Sequence, residues 1–384
     1  TITYNVQYPF PQNKNWETTI GVNGMQQENT NKGVEALIPG YRLFDAGAFL
    51  YAKKSFDKLT ISGGLRADNR LLHSKRLVKA NETKFEDFRK NFSNVSGSAG
   101  ISYEAGTNLI LKVNIARGFR APSIPELSSN GAHEGTNRYE YGEKSLKSET
   151  SIQIDGGMEL NSEHVSLSAS LFYNSISHFI YYRKLSSVLG GDSVINENGN
   201  LTTAFRFDQE NAKLYGAEFN LDIHPHPLDW LHIENTFSYV RGVMSQPQDG
   251  SKNLPFIPSP RLLTDLRGDF FKKGKRIRNA YVNFELDNTL SQNHPFTGYD
   301  TETRTPGYTL LNAGMGTEFV IKSKTLFSIY IAANNMADVS YQNHLSRLKY
   351  AANNTATGRM GVYNMGRSFS VKINIPLIFS AASQ

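Results

Sequence analysis

The sequence predicts an all-β chain: a transmembrane, antiparallel, up-and-down β-barrel wall. Three observations predict it. Long segments alternate apolar with polar residues, short and long connections take turns along the chain, and no Ser/Pro-rich linker or charge block divides it. The 384 residues include 31 Gly, 19 Tyr and 23 Phe, types suited to tight turns and pleated surfaces. No run of about 18 apolar residues occurs, so no transmembrane helix is expected. A mean hydropathy of -0.44 still suits a barrel, in which only every second residue meets lipid.

About fifteen strands are expected, at roughly 1–8, 15–28, 40–53, 58–71, 89–103, 107–117, 149–160, 164–183, 212–223, 230–241, 260–271, 276–288, 306–320, 325–334 and 363–379. The run "TNLILKVNIARGF" closes the sixth. In "SIQIDGGMEL", Ile152, Ile154, Gly156, Met158 and Leu160 share one face, and Gln153, Asp155, Gly157 and Glu159 the other. "HVSLSASLFY" sets Val165, Leu167, Ala169 and Leu171 against three serines, and "LYGAEFNLDI" sets Tyr215, Ala217, Phe219 and Leu221 against Gly216, Glu218 and Asn220. "PRLLTDLRGDFF" opposes Leu262, Thr264, Leu266 and Phe270 to Asp265, Arg267 and Asp269. In the last strand Phe369, Val371, Ile373 and Ile375 should point to lipid, and Ser370, Lys372 and Asn374 inward. These strands exceed the usual globular length of about five or six residues and suit a tilted membrane crossing. A soluble β-sandwich would have shorter strands and similar turns at both ends.

Short connections fall at "AKKSFDK", "YEAGTN", "LNSEH", "HPHPLD", "FKKGKR" and "VIKSKT". Long ones occupy about 72–88, 117–149, 184–211, 242–259, 289–305 and 335–362. Phe10, Trp16, Tyr51, Phe56, Tyr103, Trp230, Phe270, Phe319 and Phe327 gather beside the short turns and predict an interfacial girdle. An odd strand count makes the first and last strands run the same way, so an ordinary antiparallel closure is not expected. The net charge of +6 is dispersed, which argues against nucleic acid, and the absence of cysteine removes disulfides and thiolate metal sites.

The chain resembles the C-terminal part of a TonB-dependent outer-membrane receptor. "ARGFRAPSIPEL" resembles that family's Arg-Phe-Arg-Ala-Pro box, here Arg117, Phe119, Arg120, Ala121 and Pro122. "NRYEYGEKSLKSE" resembles the box opening the next strand, with Glu143, Lys144 and Ser145 where Asn-Pro-Asn is common, ending in Leu146 and Glu149. "NAKLYGAEFNLDI" resembles the strand carrying Gly-x-Glu, here Gly216 and Glu218. "IAANNMADVSYQNHLS" is similar to the family's penultimate strand and loop, and "GRSFSVKINIPL" to its last strand, although this chain runs on through "SAASQ". The resemblance implies that residues 1–384 are the C-terminal portion of a twenty-two-stranded barrel in a Gram-negative outer membrane. The N-terminal plug domain, the first strands and the segment that meets the TonB complex would lie outside this sequence.

The loop at 117–149 is the expected recognition element, because long loops on rigid walls usually carry binding. Its candidate ligand contacts are His133, Glu134, Arg138, Tyr139 and Tyr141, joined from the 335–362 loop by His344 and Arg347. Arg117 and Arg120 are read as structural, pairing with carboxylates inside the wall, while Pro122 and Pro125 fix the loop's exit. His133 and, after it, His344 are the candidate metal or haem ligands, His133 because in haem-transporting members a histidine lies between these two boxes; the solvated surface histidine is the plain alternative.

No phosphate-cradling loop, His-Glu-x-x-His helix or nucleophile elbow occurs, so no enzyme is expected. The resemblance implies capture of a scarce extracellular substrate, an iron siderophore, haem or another metal complex, for TonB-energised uptake without a resident cofactor. A passive porin-type channel is the alternative.

Overall fold

The structure, a computed structural model, describes residues 1–33, 35–79, 81–133, 138–197, 199–322 and 324–377. The wall begins with β1 (Ile2–Pro9), β2 (Trp16–Asn29), β3 (Tyr41–Phe56) and β4 (Leu59–Ser74), after which β5 (Leu77–Lys79) and β6 (Glu82–Phe85) form a small hairpin in a long loop. It resumes with β7 (Phe88–Glu104) and β8 (Leu109–Arg120). Helix α1 (Ile124–Ser128), β9 (Asn130–His133) and β10 (Arg138–Tyr141) then occupy the next long loop. The wall continues through β11 (Glu149–Asn161) and β12 (Val165–Lys184), the short β13 (Val194–Glu197), then β14 (Asn200–Ile223) and β15 (Leu231–Gln248). After the short β16 (Ser251–Asn253) come β17 (Arg261–Phe270), β18 (Ile277–Thr289), β19 (Tyr308–Ile321), β20 (Lys324–Asn334) and β21 (Ser368–Asn374).

Fifteen of these strands form the wall, each paired antiparallel with the next wall strand along the chain. Turns such as 57–58, 105–108, 162–164 and 224–230 all lie on one rim, and the loops 75–87, 121–148 and 335–367 on the other. The alternation makes β1 and β21 run in the same direction. Among the described residues they are not paired with each other.

Register turns the sequence alternation into two faces. Ile115, Ile154, Tyr173 and Tyr215 are successive cross-strand neighbours, as are Met315, Ile331 and Val371. This face is apolar and bare: Leu65, Leu171, Val371 and Phe369 are each more than 60 % exposed, as lipid-facing residues are when no lipid surrounds them. Phe369, Val371 and Ile373 therefore share the outer face of Ala333, Ile331 and Ile329, opposite Ser370, Lys372 and Asn374. The inner face is polar and paired. Arg70 grips Asp45 through two hydrogen bonds of 2.8 and 2.7 Å, Arg66 bonds Asn23 at 2.6 Å, and Arg261 clasps Asp287 through two of 2.7 Å. At the short-turn rim Trp230 stacks on Phe270 and Phe319 on Phe327, and Lys54 lies over both Trp16 and Phe56. The girdle read from sequence is built by these contacts.

Gly216 shows why the Gly-x-Glu strand needs its glycine. A Cβ there would sit 2.6 Å from the Phe172 ring and would collide with the Tyr239 carbonyl of the neighbouring strand. Gly216→Val should destabilise the folded barrel by about 1–3 kcal/mol, the usual overpacking cost. The folded fraction after refolding, read from the heat-sensitive band on a semi-native gel, checks this; a fraction equal to wild type would refute it.

Three expectations need correction. The loop placed at 184–211 is largely strand, because β14 begins at Asn200. The loop placed at 242–259 starts late, because β15 runs to Gln248. Both strands outrun the membrane, and packing in the rim replaces lipid as the reason for their pairing. The last strand is shorter than expected, Ser368–Asn374, and Phe379 with the tail "SAASQ" lies outside the described residues.

Candidate functional site

The loop between β8 and β11 is folded. At its entry Arg120 stands opposite Glu149 in the β8–β11 register; its Nε donates to Glu149 at 2.7 Å and its Nη1 to both oxygens of Glu126 at 2.7 and 2.8 Å. The two sequence boxes are thus the two ends of one clasp. Glu126 also accepts the Ser123 N–H at 2.7 Å, fixing the first turn of α1. The helix drops Ile124 and Leu127 into a rim core with Ala121, Leu146, Leu43, Leu72 and Phe92. Apolar burial here anchors the loop, as Pro122 and Leu146 in the two boxes foreshadow.

Arg117 corrects the reading that both box arginines face carboxylates inside the wall. It stands opposite Ile152 and Gly97, on the outer face, and donates to the Val95 carbonyl. Outward Arg near a membrane rim can lift its head group to the interface.

From α1 the loop crosses the mouth. β10 pairs antiparallel with β9 and parallel with β14, with Arg138 opposite Thr203 and Tyr141 opposite Arg206. Residues 203–206 of β14 are held on their other edge by β13 and β12. β10 therefore takes the edge that β15 occupies lower down, on the far side of β14 from where the loop began. The length of the loop serves that crossing.

The hairpin carries a buried charge pair. Arg138 Nε donates to Glu140 Oε1 at 2.7 Å, with the two residues 4 % and 2 % exposed, and the guanidinium lies 3.7 Å from the Tyr182 ring centre. His133 Nδ1 also approaches Glu140 Oε1, at 3.0 Å. Tyr139 is buried, its hydroxyl donating to Asn130 at 2.9 Å, and its ring lies 5.0 Å from that of Tyr141. The hairpin's side chains thus build the mouth as well as line it. Glu134 lies outside the described residues.

The 335–367 loop separates its two candidates. His344 is buried, with Nδ1 2.8 Å from Thr305 Oγ1 and 3.3 Å from Lys349 Nζ, and Nε2 3.5 Å from Glu302. It is a packing residue of the rim. Arg347 is exposed and stacks over Phe256 at 4.6 Å. Partial desolvation, then the like charge of Arg138, pulls its guanidinium below the ordinary value, although it stays a cation. Arg347 therefore lies within electrostatic reach of Arg138.

Arg206, which the sequence reading missed, is exposed beside Tyr141, 5.9 Å from its ring centre. Among the described residues neither Arg206 nor Arg347 has a carboxylate within ion-pair distance. The nearby Glu143 carboxyl is held below its usual range, first by the Ser145 backbone N–H and more weakly by Arg206's charge. Two exposed guanidiniums, one of them beside a Tyr-rich hairpin, can bind an anionic ligand through charge-assisted hydrogen bonds to its oxygens. The missed signal was parity: Arg206 faces the loop because β14 extends above the membrane.

Residues 2–336 match the family described as TonB dependent receptor-like, beta-barrel. Among solved structures, the chain is similar to the copper transporter OprC, at 16 % identity and a TM-score of 0.74, over 97 % of this chain and 56 % of that one. It is also similar to the FrpB iron transporter from Neisseria meningitidis (F3-3 variant), at 12 % and 0.68, over 97 % and 54 %. A third is the ferric yersiniabactin uptake receptor FyuA from Yersinia pestis, at 13 % and 0.65, over 98 % and 54 %. The chain spans about half the length of these structures.

Proposed function

This chain belongs to the TonB-dependent receptor β-barrel family, outer-membrane transport proteins of Gram-negative bacteria rather than enzymes, and from that premise we propose that it forms the C-terminal wall of a receptor for an anionic ferric chelate. Further wall strands pair with the open edge of β1, a plug domain fills the lumen, and the TonB complex drives uptake through the region outside this sequence. The observation that carries the ligand class is the pair of exposed guanidiniums without an ion-pair partner among the described residues, Arg206 beside Tyr141 of the β9–β10 hairpin and Arg347 over Phe256 in the 335–367 loop. Ferric chelates of catecholate or carboxylate type carry the negatively charged oxygens that Arg recognises, and the catecholates add aromatic rings that Arg and Tyr can stack on. The similar structures are named for copper, iron and a ferric siderophore, which fits a metal-complex substrate.

The test is titration of the complete receptor with ferric catecholates, ferric citrate and haem. Arg206→Ala and Arg347→Ala should each weaken binding of the cognate ferric chelate about 10- to 100-fold, the worth of a charged hydrogen bond, with the barrel still assembled. If neither variant changes the affinity of any ferric chelate, while His133→Ala abolishes haem binding, the ligand is haem and the anionic-chelate reading fails. A steady open conductance of the complete protein in planar bilayers would instead identify a passive channel.

A further inference from the structure

At the opposite, short-turn rim, β14 ends in Asp222-Ile223, His224 follows it directly, and β15 begins with Leu231-His232. Asp222 pairs in register with Glu234, and His232 with Arg267. Side chains of alternate residues share a face, so Asp222, His224 and His232 all lie on the polar inner face. His224 Nε2 sits 2.6 Å from Asp222 Oδ2 and 3.1 Å from His232 Nδ1. Among the described residues, this is the one group of three His, Asp or Glu side chains whose ligand atoms all fall within 4.8 Å of one another.

Proton bookkeeping in this cluster is incomplete. His224 Nε2 carries at most one hydrogen, and it faces both a carboxylate oxygen and a second imidazole nitrogen. If that hydrogen goes to Asp222, His232 Nδ1 receives at best a shared contact. The solvent-shielded Asp222 Oδ1 lacks a hydrogen-bond partner, and His232 Nε2 has the Asp269 carboxylate within ion-pair distance but not in hydrogen-bond geometry. The next shell is ordered in a way that suits a ligand histidine: His232 Nε2 is 3.3 Å from Asp269 Oδ2, and Arg267 Nε donates to Asp269 Oδ1 at 3.0 Å while lying over the Tyr281 ring. The adjacent Asp269 charge favours the tautomer with its proton on Nε2, which leaves the Nδ1 lone pair aimed at His224 and Asp222. Carboxylates behind metal-binding imidazoles perform this orienting role.

We propose that Asp222, His224 and His232 bind a divalent transition-metal ion of the Zn2+, Ni2+ or Cu2+ class, with Asp269 as positioning residue. Two imidazole nitrogens and one carboxylate oxygen are donors these ions accept. Mg2+ and Ca2+ prefer all-oxygen sets. The ion replaces the contested proton and links β14 directly to β15, with β17 behind them through Asp269. The site is independent of ligand capture at the other rim.

The test uses the complete receptor in detergent, titrated calorimetrically with Zn2+, Ni2+ and Cu2+ alone. One ion per chain is expected to bind at this site. His224→Ala and His232→Ala should each remove its heat signal, and Asp269→Asn should weaken affinity about 10- to 100-fold without removing a ligand atom. Wild-type crystals soaked in Zn2+ provide a second measurement that needs no variant, with an anomalous peak expected between the three side chains. A folded wild-type receptor with no peak there at saturating Zn2+ would overturn the proposal. So would a His224→Ala/His232→Ala double variant with unchanged stoichiometry and affinity, which would mark the bound ions as adventitious.

Discussion

Glu140→Ala should detach the β9–β10 hairpin from the mouth while the wall beneath it stays folded. Glu140 is 2 % exposed and accepts the Arg138 Nε at 2.7 Å; Arg138 is itself 4 % exposed, with Tyr182 and Phe205 around its guanidinium. Removing one partner of a buried pair leaves the other charge desolvated without compensation, at a cost of about 3–5 kcal/mol. The four residue pairs that join β10 to β14 must hold against that cost. The wall strands below do not depend on the pair, so the loss should be local. Limited proteolysis should cut within 121–148 in the variant and spare it in wild type, with the barrel band on a semi-native gel unchanged. Glu140→Gln keeps an acceptor and should fall between the two. Replacing both partners, Arg138→Leu with Glu140→Leu, removes the stranded charge and should recover much of the protection. A double variant as sensitive as Glu140→Ala would show that the hairpin is held by something other than this pair.

The wall was legible in the sequence because lipid enforces it. Every second residue of a spanning strand must be apolar, and long loops must collect on one rim, so Ile152, Ile154 and Leu171 announced their face and "LNSEH" its rim. Above the membrane that constraint vanishes. In Asn200–Asn211 both faces of β14 meet protein: Phe207 packs into the core around α1, and Ala212 just beyond this stretch packs with Tyr181, Met244, Leu254 and Phe296. The period-2 signal fades there although the strand continues. Arg120 was readable as a clasp because its partners, Glu126 and Glu149, belong to the same two boxes. Arg117 was misread because charge was assumed to point inward; parity from Ile115 would have placed it outside. His344 looked like a loop histidine because nothing local reveals that Thr305, Lys349 and Glu302 enclose it. Asp222 and His224 were hidden by their position at the mouth of "HPHPLD", which reads first as a turn. Their two-residue spacing and the reach to His232 become visible only once β14 and β15 are paired.

Leu171→Arg tests the assignment of faces on which the rest stands. Leu171 lies on the outer face of β12, between the short-turn girdle and the bulge at Ile176, and is 66 % exposed. Its cross-strand neighbours there are Gly156 and Ala217, too small to shelter a guanidinium. An arginine this deep in the apolar band should cost about 2–4 kcal/mol. The adjacent Ser170 faces the lumen between Gly157 and Glu218, where polar side chains are the rule. Ser170→Arg gains a carboxylate neighbour and should cost little. Urea-driven unfolding in lipid vesicles should therefore separate two arginines one residue apart. Wild-type and Ser170→Arg midpoints should lie close together, with Leu171→Arg well below them. Were the two variants equally tolerated, or their order reversed, the inner and outer faces would be exchanged. The polar pairs on the lumen side, the outward position of Arg117 and the inward convergence of Asp222, His224 and His232 would all have to be redrawn.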